Sequence, residues 1–196
     1  MVNFGLFDSP TGIFLFLAVI LAVLAVFGYV VGVYNGLIAM KNNIEKAWKN
    51  IDVVLQQRYS ELPKLVDVCK GYMKHEFDTL TRITELRSGA QSPGASTESK
   101  IAAENQLEKI MGQLRVTVEK YPDLKANQEF LKIMERVSAL ESKIADSREL
   151  FNETANTYNI NIQRFPAFIV AGLLRFTEQA LLEVPEEFKK DVKIQF

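Results

Sequence analysis

Apolar residues dominate one stretch near the start of the chain and then thin out to a periodic stripe. Gly12 to Tyr34 reads GIFLFLAVILAVLAVFGYVVGVY. A helix rising about 1.5 Å per residue needs roughly 20 such residues to cross a hydrocarbon core. The pattern predicts a transmembrane helix over 12–34, behind a short N-terminus, 1–11. A cleaved signal peptide would begin with a basic segment and carry a shorter apolar core. The first eleven residues hold no Lys or Arg, so the run is expected to stay as an anchor.

Beyond it, apolar positions recur at Ile44, Trp48, Ile51, Leu55, Leu62, Leu65, Cys69, Met73, Leu80 and Ile83, spaced mostly as on a helix face. The spacing predicts one long helix over about 35–87, bent near Pro63, which removes a backbone donor. It would extend about 80 Å. Ser88 to Glu98 is a loop by composition. A second helix over about 99–121 carries Ala103, Leu107, Ile110, Leu114, Val118 and Tyr121 on one side. A third, over about 128–164, carries Phe130, Ile133, Val137, Leu140, Ile144, Arg148, Phe151, Ala155, Tyr158 and Ile162. A short apolar helix over about 166–182 and a tail over 183–196, extended at its end, complete the chain. The fold expected is all-α: an N-terminal transmembrane helix running into an elongated antiparallel bundle (35–196) of three long helices plus a short C-terminal one.

Between the second and third helices lies Tyr121-Pro122-Asp123-Leu124-Lys125-Ala126-Asn127. Tyr121 completes an apolar stripe, and Pro122 cannot continue the helix. Leu124 can plug the underside of a turn, and Asp123 or Asn127 can cap the next helix. The residue types specify a packed hinge and need no ligand.

Charge sharpens this picture. The chain holds 23 basic and 24 acidic residues, and every basic one lies at or beyond Lys41. Lys41, Lys46 and Lys49 follow the apolar run closely, and none precedes it. The positive-inside rule then expects the N-terminus outside and the large domain in the cytoplasm, anchored in the cell membrane. The later part is electrically balanced, so it displays no basic face for nucleic acid. Arg58 and Arg148 fall on apolar stripes, and a buried guanidinium needs carboxylates. Asp52, Glu76, Glu85 and Glu141 are the candidates. Such pairs specify packing; an anion-sensing pocket is the sharper alternative.

Candidate chemistry is sparse. His75-Glu76 opens like a zinc-protease helix, but Thr79 stands where the second His belongs, and His75 is the only histidine. That leaves no His-paired zinc site. No glycine-rich phosphate loop follows a strand. The single cysteine, Cys69, lies among apolar neighbours and reads as a buried, inert thiol. No enzyme activity, metal or cofactor is expected.

Two surfaces invite partners instead. Ala18, Ala22, Ala25, Gly28, Gly32 and Gly36 step by three or four along the apolar run. Small residues at that spacing let two helices approach closely in lipid. Phe165, Phe168, Ile169, Leu173 and Leu174 lie in a segment apolar on nearly every side, yet too short to span a membrane. It can cover the bundle, meet another subunit, or lie on the membrane surface.

The residues also carry a family resemblance. From Tyr34-Asn35 the chain continues through Asn43, Ala47-Trp48, Ile51-Asp52-Val53, Arg58-Tyr59, Leu62-Pro63, Gly71-Tyr72 and His75-Glu76. The pattern resumes at Tyr121 to Asn127, Leu140-Glu141, Arg148, Asn152, Tyr158-Asn159, Phe165-Pro166 and Lys193 to Phe196. Over nearly its whole length the chain resembles the LemA family of membrane-anchored proteins. Leu86 stands where that family usually has Ala, and Phe151 where it usually has Tyr; both keep an apolar body in place.

The resemblance implies a helical bundle on a short span and no established enzymatic activity. Members are often encoded near membrane proteases of the heat-shock zinc type, and a relative takes part in magnetosome membrane formation. The function expected is a non-catalytic membrane scaffold that forms homo-oligomers and organises or shapes the lipid bilayer. The alternatives are an adaptor for another membrane protein, such as a protease, and a sensor of an anion or small molecule.

Overall fold

The computed structural model describes residues 10–92, 94 and 96–182. The expected N-terminus before residue 10 and the extended tail from 183 onward lie outside them. The described elements are six helices, with no strand among the described residues. They are α1 (Pro10–Lys70), α2 (Phe77–Ala90), α3 (Thr97–Val118), α4 (Pro122–Lys125), α5 (Gln128–Gln163) and α6 (Ala167–Leu173). Among them, 10–47 with 151–181 form one compact unit, and 48–150 form the core of a second.

Helix α1 starts on a proline, whose fixed φ suits a first turn. It runs through Pro63 unbroken but ends at Lys70, short of the expected Arg87. The stop lies in the sequence Gly71-Tyr72. The N–H groups of Gly71 and Tyr72 donate back to the carbonyls of Val68 and Cys69, at 3.3 and 3.0 Å, tightening the last turn. Met73, read as part of one continuous stripe, is buried within this turn, and α2 restarts at Phe77.

Helix α2 runs on to Ala90, so the loop before α3 is shorter than composition suggests, with Gly94 at φ +83 inside it. Ser96 caps α3, its Oγ accepting from the Ser99 N–H at 3.2 Å. The buried face of α3 keeps Leu107, Leu114 and Val118 as expected, but Glu104 and Met111 take the inward places expected of Ala103 and Ile110. Ile110 is only half-buried.

The YPDLKAN stretch forms its own short helix. Helix α3 ends at Val118, Tyr121 stands ahead of α4, and Pro122 takes its first position. Leu124 is wholly buried and Asp123 is exposed. Asn127 caps α5: its Oδ1 accepts from the N–H groups of Glu129 and Phe130 at 2.9 and 3.0 Å. Its Nδ2 donates to the Tyr72 hydroxyl at 3.0 Å, joining the two turns. Both predicted roles, plug and cap, are present on Leu124 and Asn127.

The core of the second unit draws Ile51, Leu55, Leu62, Leu65 and Cys69 from α1, Ile83 from α2, Leu107 and Leu114 from α3, and Val137 from α5. In the first unit, Leu37, Ile44 and Ala47 of α1 are buried, with Phe151, Ala155, Tyr158 and Ile162 of α5 and Val170 and Ala171 of α6.

Helix α6 is seven residues long, not the longer helix expected to Leu182. Arg175 adopts φ 58 and stops it. The Phe176 N–H donates to the Ala171 carbonyl at 2.9 Å and the Arg175 N–H to that of Gly172 at 3.2 Å. This is a Schellman ending with arginine in the left-handed position that glycine usually takes. The Phe165–Pro166 bond ahead of α6 is cis.

Candidate functional site

Three features carry the candidate residues. The first is the apolar half of α1. An 18-residue window there is apolar enough to cross a membrane, and none of it is buried within the chain. Ala18, Ala22, Ala25, Gly28, Gly32 and Gly36 are all exposed. A Cβ added at any of the three glycines would meet nothing within 4 Å. Leu37, just after the apolar run, is buried.

The second is a chain of charges in the unit built by 48–150. Arg58 of α1 is 3% exposed and Glu104 of α3 is 1% exposed. Arg58 Nη1 donates to Glu104 Oε2 at 3.0 Å, and Nη2 reaches Glu141 Oε1 of α5 at 3.5 Å. The other oxygen of Glu141 accepts from Arg115 of α3. The order is Glu104, Arg58, Glu141, Arg115: signs alternate and the set is neutral. It leads from the interior to the surface across three helices.

Arg58 therefore meets the carboxylate partner expected at Glu141 and a second one at Glu104 that the stripe reading missed. The signal was present. The positions 104, 107, 111, 114 and 118 keep steps of three and four, but a glutamate on such a face is easily assigned outward.

The other charged candidates lie elsewhere. Asp52 is half-buried and accepts from Lys100 Nζ at 2.7 Å. Glu85 is 58% exposed and pairs with Arg82 at 3.2 Å, one turn away on the same helix. Glu76 is half-buried at the N-cap of α2, without a side-chain cap bond. Arg148 is half-buried, not buried as its stripe position led one to expect, while Ile144 and Phe151 on either side of it are buried. His75 is exposed and stands ahead of the N-cap of α2.

Beside the ion chain, burial first and the Glu104 carboxylate second push the Tyr59 phenol well above its ordinary range. Burial alone pushes the Cys69 thiol up to about 11. Both groups stay protonated at neutral pH, and Cys69 is inert by the same cause. Buried polar atoms on Arg58 (Nε), Tyr59 (the hydroxyl), Glu104 (Oε1) and Asn105 (Oδ1) have no hydrogen-bond partner among the described residues. Among the described residues no cluster of three or more His, Cys, Asp or Glu side chains could hold a metal ion.

A second polar device lies on α1 near its proline. Pro63 has no N–H to give to the carbonyl four residues back, which belongs to Tyr59. Arg87 of α2 supplies the missing donor: its Nε reaches the Tyr59 carbonyl at 2.9 Å. An open cleft of about 140 Å³ lies along Leu62, Pro63, Val66, Ile83 and Arg87.

The third feature is α6 and the strand of chain after it. Phe165, Phe168, Ile169, Leu173 and Leu174 are all exposed, Leu173 at 79%. The chain after α6 is held to α5. Tyr158 donates from its hydroxyl to the Thr177 carbonyl at 3.1 Å, while Asn159 and Gln179 exchange two bonds of 2.8 and 2.9 Å. An open groove of about 600 Å³ runs along Ile162, Phe168, Ala171 and Phe176, with Gln163 and Glu178 on its polar rim. The ring of Phe176 meets Tyr34 of α1 edge-on at 6.2 Å.

Known proteins resemble this chain over most of its length. Protein LemA of Metamycoplasma hominis is 30% identical over 186 residues, covering 93% of this chain and 85% of that protein. Magnetosome protein MamQ of Magnetospirillum gryphiswaldense is 22% identical over 168 residues, covering 73% of this chain. The chain spans 62% of that relative's length. Magnetosome protein MamQ 2 of Paramagnetospirillum magneticum is 22% identical over 182 residues, covering 80% of this chain and 67% of that protein. The model of the LemA family matches residues 47–196, where the buried ion chain, the proline-linked turn and α6 all reside, and the chain belongs to that family.

Proposed function

We propose that the chain is a non-catalytic, single-pass membrane scaffold that self-associates and organises or shapes the bilayer. The observation that carries this reading is the outward face of α1. Small residues at Ala18, Ala22, Ala25, Gly28, Gly32 and Gly36 are exposed, and among the described residues nothing lies within 4 Å of a Cβ added at the glycines, which leaves room for a second helix. Lys41, Lys46 and Lys49 after the apolar run support an N-terminus outside and a cytoplasmic helical bundle. The family's magnetosome-named relatives are in keeping with a protein that works at a membrane.

The ion chain supports a packing role for the buried charges over that of an anion receptor. Both terminal nitrogens of Arg58 are engaged by carboxylates, and the set is neutral. Arg58 therefore offers an incoming anion no open fork.

Replacing Gly28 and Gly32 together by isoleucine tests the reading. Two branched side chains on this face hold neighbouring helices apart, so self-association in a membrane dimerisation assay should fall several-fold. Unchanged association would sink the assignment of this face.

A further inference from the structure

Helix α6 turns an apolar face outward in the same compact unit that carries the apolar part of α1. Phe165, Phe168, Ile169 and Leu173 are exposed, while Val170 and Ala171 are buried behind them. No charged residue occurs from Phe165 through Leu174, and Arg164 and Arg175 stand at its two ends, both exposed. An apolar face rimmed by polar groups marks an interaction surface.

The position of α6 along α1 selects the occupant. Tyr34 closes the apolar run, at the depth where aromatic rings settle among lipid headgroups. Its ring packs on Phe176 at 6.2 Å. Phe176 is tied to α6 by its N–H bond to the Ala171 carbonyl at 2.9 Å, and shares the groove with Phe168. The bonds from Tyr158 and Asn159 to Thr177 and Gln179 fix the same segment to α5. The exposed face of α6 is thus tied, through Phe176, to the point where the apolar run of α1 ends. The flanking arginines fit the same occupant. They can bury their stems in the apolar layer and reach anionic headgroups, whereas pairing α6 with a copy of itself brings like charges together.

We propose that α6 lies in the interfacial layer of the leaflet from which α1 emerges, with Phe165, Phe168, Ile169 and Leu173 among the acyl chains and Arg164 and Arg175 at the phosphates. This rests on α1 spanning the membrane. The bilayer is then gripped at two points, a span and a plate, and the plate fixes the rotation and tilt that a lone helix leaves free.

The test uses the full chain with Cys69→Ala and one new cysteine, at Leu173, Phe165 or Val23, carrying an environment-sensitive fluorophore. Phe165 and Leu173 are so exposed that substitution leaves the fold intact. The labelled chains are reconstituted in phosphatidylcholine–phosphatidylglycerol vesicles with nitroxide lipids, shallow or deep. The proposal expects blue-shifted probes at both α6 sites that lose most of their emission to the shallow nitroxide, with Val23 quenched by the deep one. Quenching at Val23 together with water-like emission at 165 and 173 overturns it and leaves the span standing. Blue-shifted α6 probes that no nitroxide lipid quenches also overturn it, because a second copy then covers the face. If Val23 itself escapes quenching, the span fails and the proposal with it.

Discussion

Arg58 and Glu104 form a buried ion pair in the interior of the 48–150 unit. Two nearly inaccessible charges face each other at 3.0 Å, and each would be costly alone. Glu104→Ala leaves the guanidinium with only the longer contact to Glu141 and should cost about 3 kcal/mol of unfolding free energy. Replacing the pair together, Arg58→Met with Glu104→Leu, should cost much less than the two single changes summed. Urea unfolding followed by circular dichroism measures all four corners of that cycle; additive losses would show that the pair is not coupled.

Cys69 and Tyr59 supply a second expectation at this scale. Burial raises the folded thiol from its ordinary 9.0 to about 11, so above pH 9 the unfolded chain loses this proton first. Tyr59 shifts in the same direction from 10.0. Their stability contribution is complete below about pH 9 and is lost as pH rises through the folded values. The thiol's share is on the order of 2 kcal/mol. Cys69→Ala should flatten the fall in stability between pH 9 and 11 relative to the unaltered chain, and the native thiol should resist maleimide at pH 8.

At the scale of elements, a missing donor on one helix is matched by a side chain from another. Pro63 leaves the Tyr59 carbonyl without its helical bond, and Arg87 fills it. Arg87→Ala should therefore cost about 1–3 kcal/mol, the range for orphaning a buried acceptor. With Pro63→Ala in place, the backbone N–H returns and the loss from Arg87→Ala should shrink. An Arg87→Ala effect of equal size in both backgrounds would mean that the arginine acts through something else.

The same elements show what was legible in the sequence. Stripe spacing revealed the long helices, because burial selects one face whatever the neighbours are. Pro122, Leu124 and Asn127 announced their turn through local chemistry. The stop at Lys70 was harder to see: Gly71 alone is a weak breaker, and Met73, Leu80 and Ile83 keep nearly helical spacing through a real turn. The end of α6 rests on an arginine at φ 58, a conformation that its residue type does not advertise. Glu104 was hidden for a different reason. Whether a charged residue on an apolar stripe turns inward depends on Arg58, which lies 46 positions earlier, and no local pattern reports that distance.

On the scale of the whole molecule, what matters is where apolar surface stays uncovered. Among the described residues the run in α1 and the plate of α6 are such surfaces, and in one unit they are linked by the contact of Tyr34 with Phe176. Lipid can cover both, but only the α1 face has the small-residue geometry that lets like helices approach. A scaffold is an assembly of such helices. A closed symmetric ring or cluster would gather many anchors, each gripping the bilayer, into one patch of membrane.

The most direct test of this claim is the mass of the particle extracted from native membranes in polymer-bounded lipid discs, without detergent, and weighed particle by particle. A self-associating scaffold should give a single dominant species containing several copies of the 22.2 kDa chain and no second protein. A particle holding one copy, or one that always retains a different chain, would contradict it.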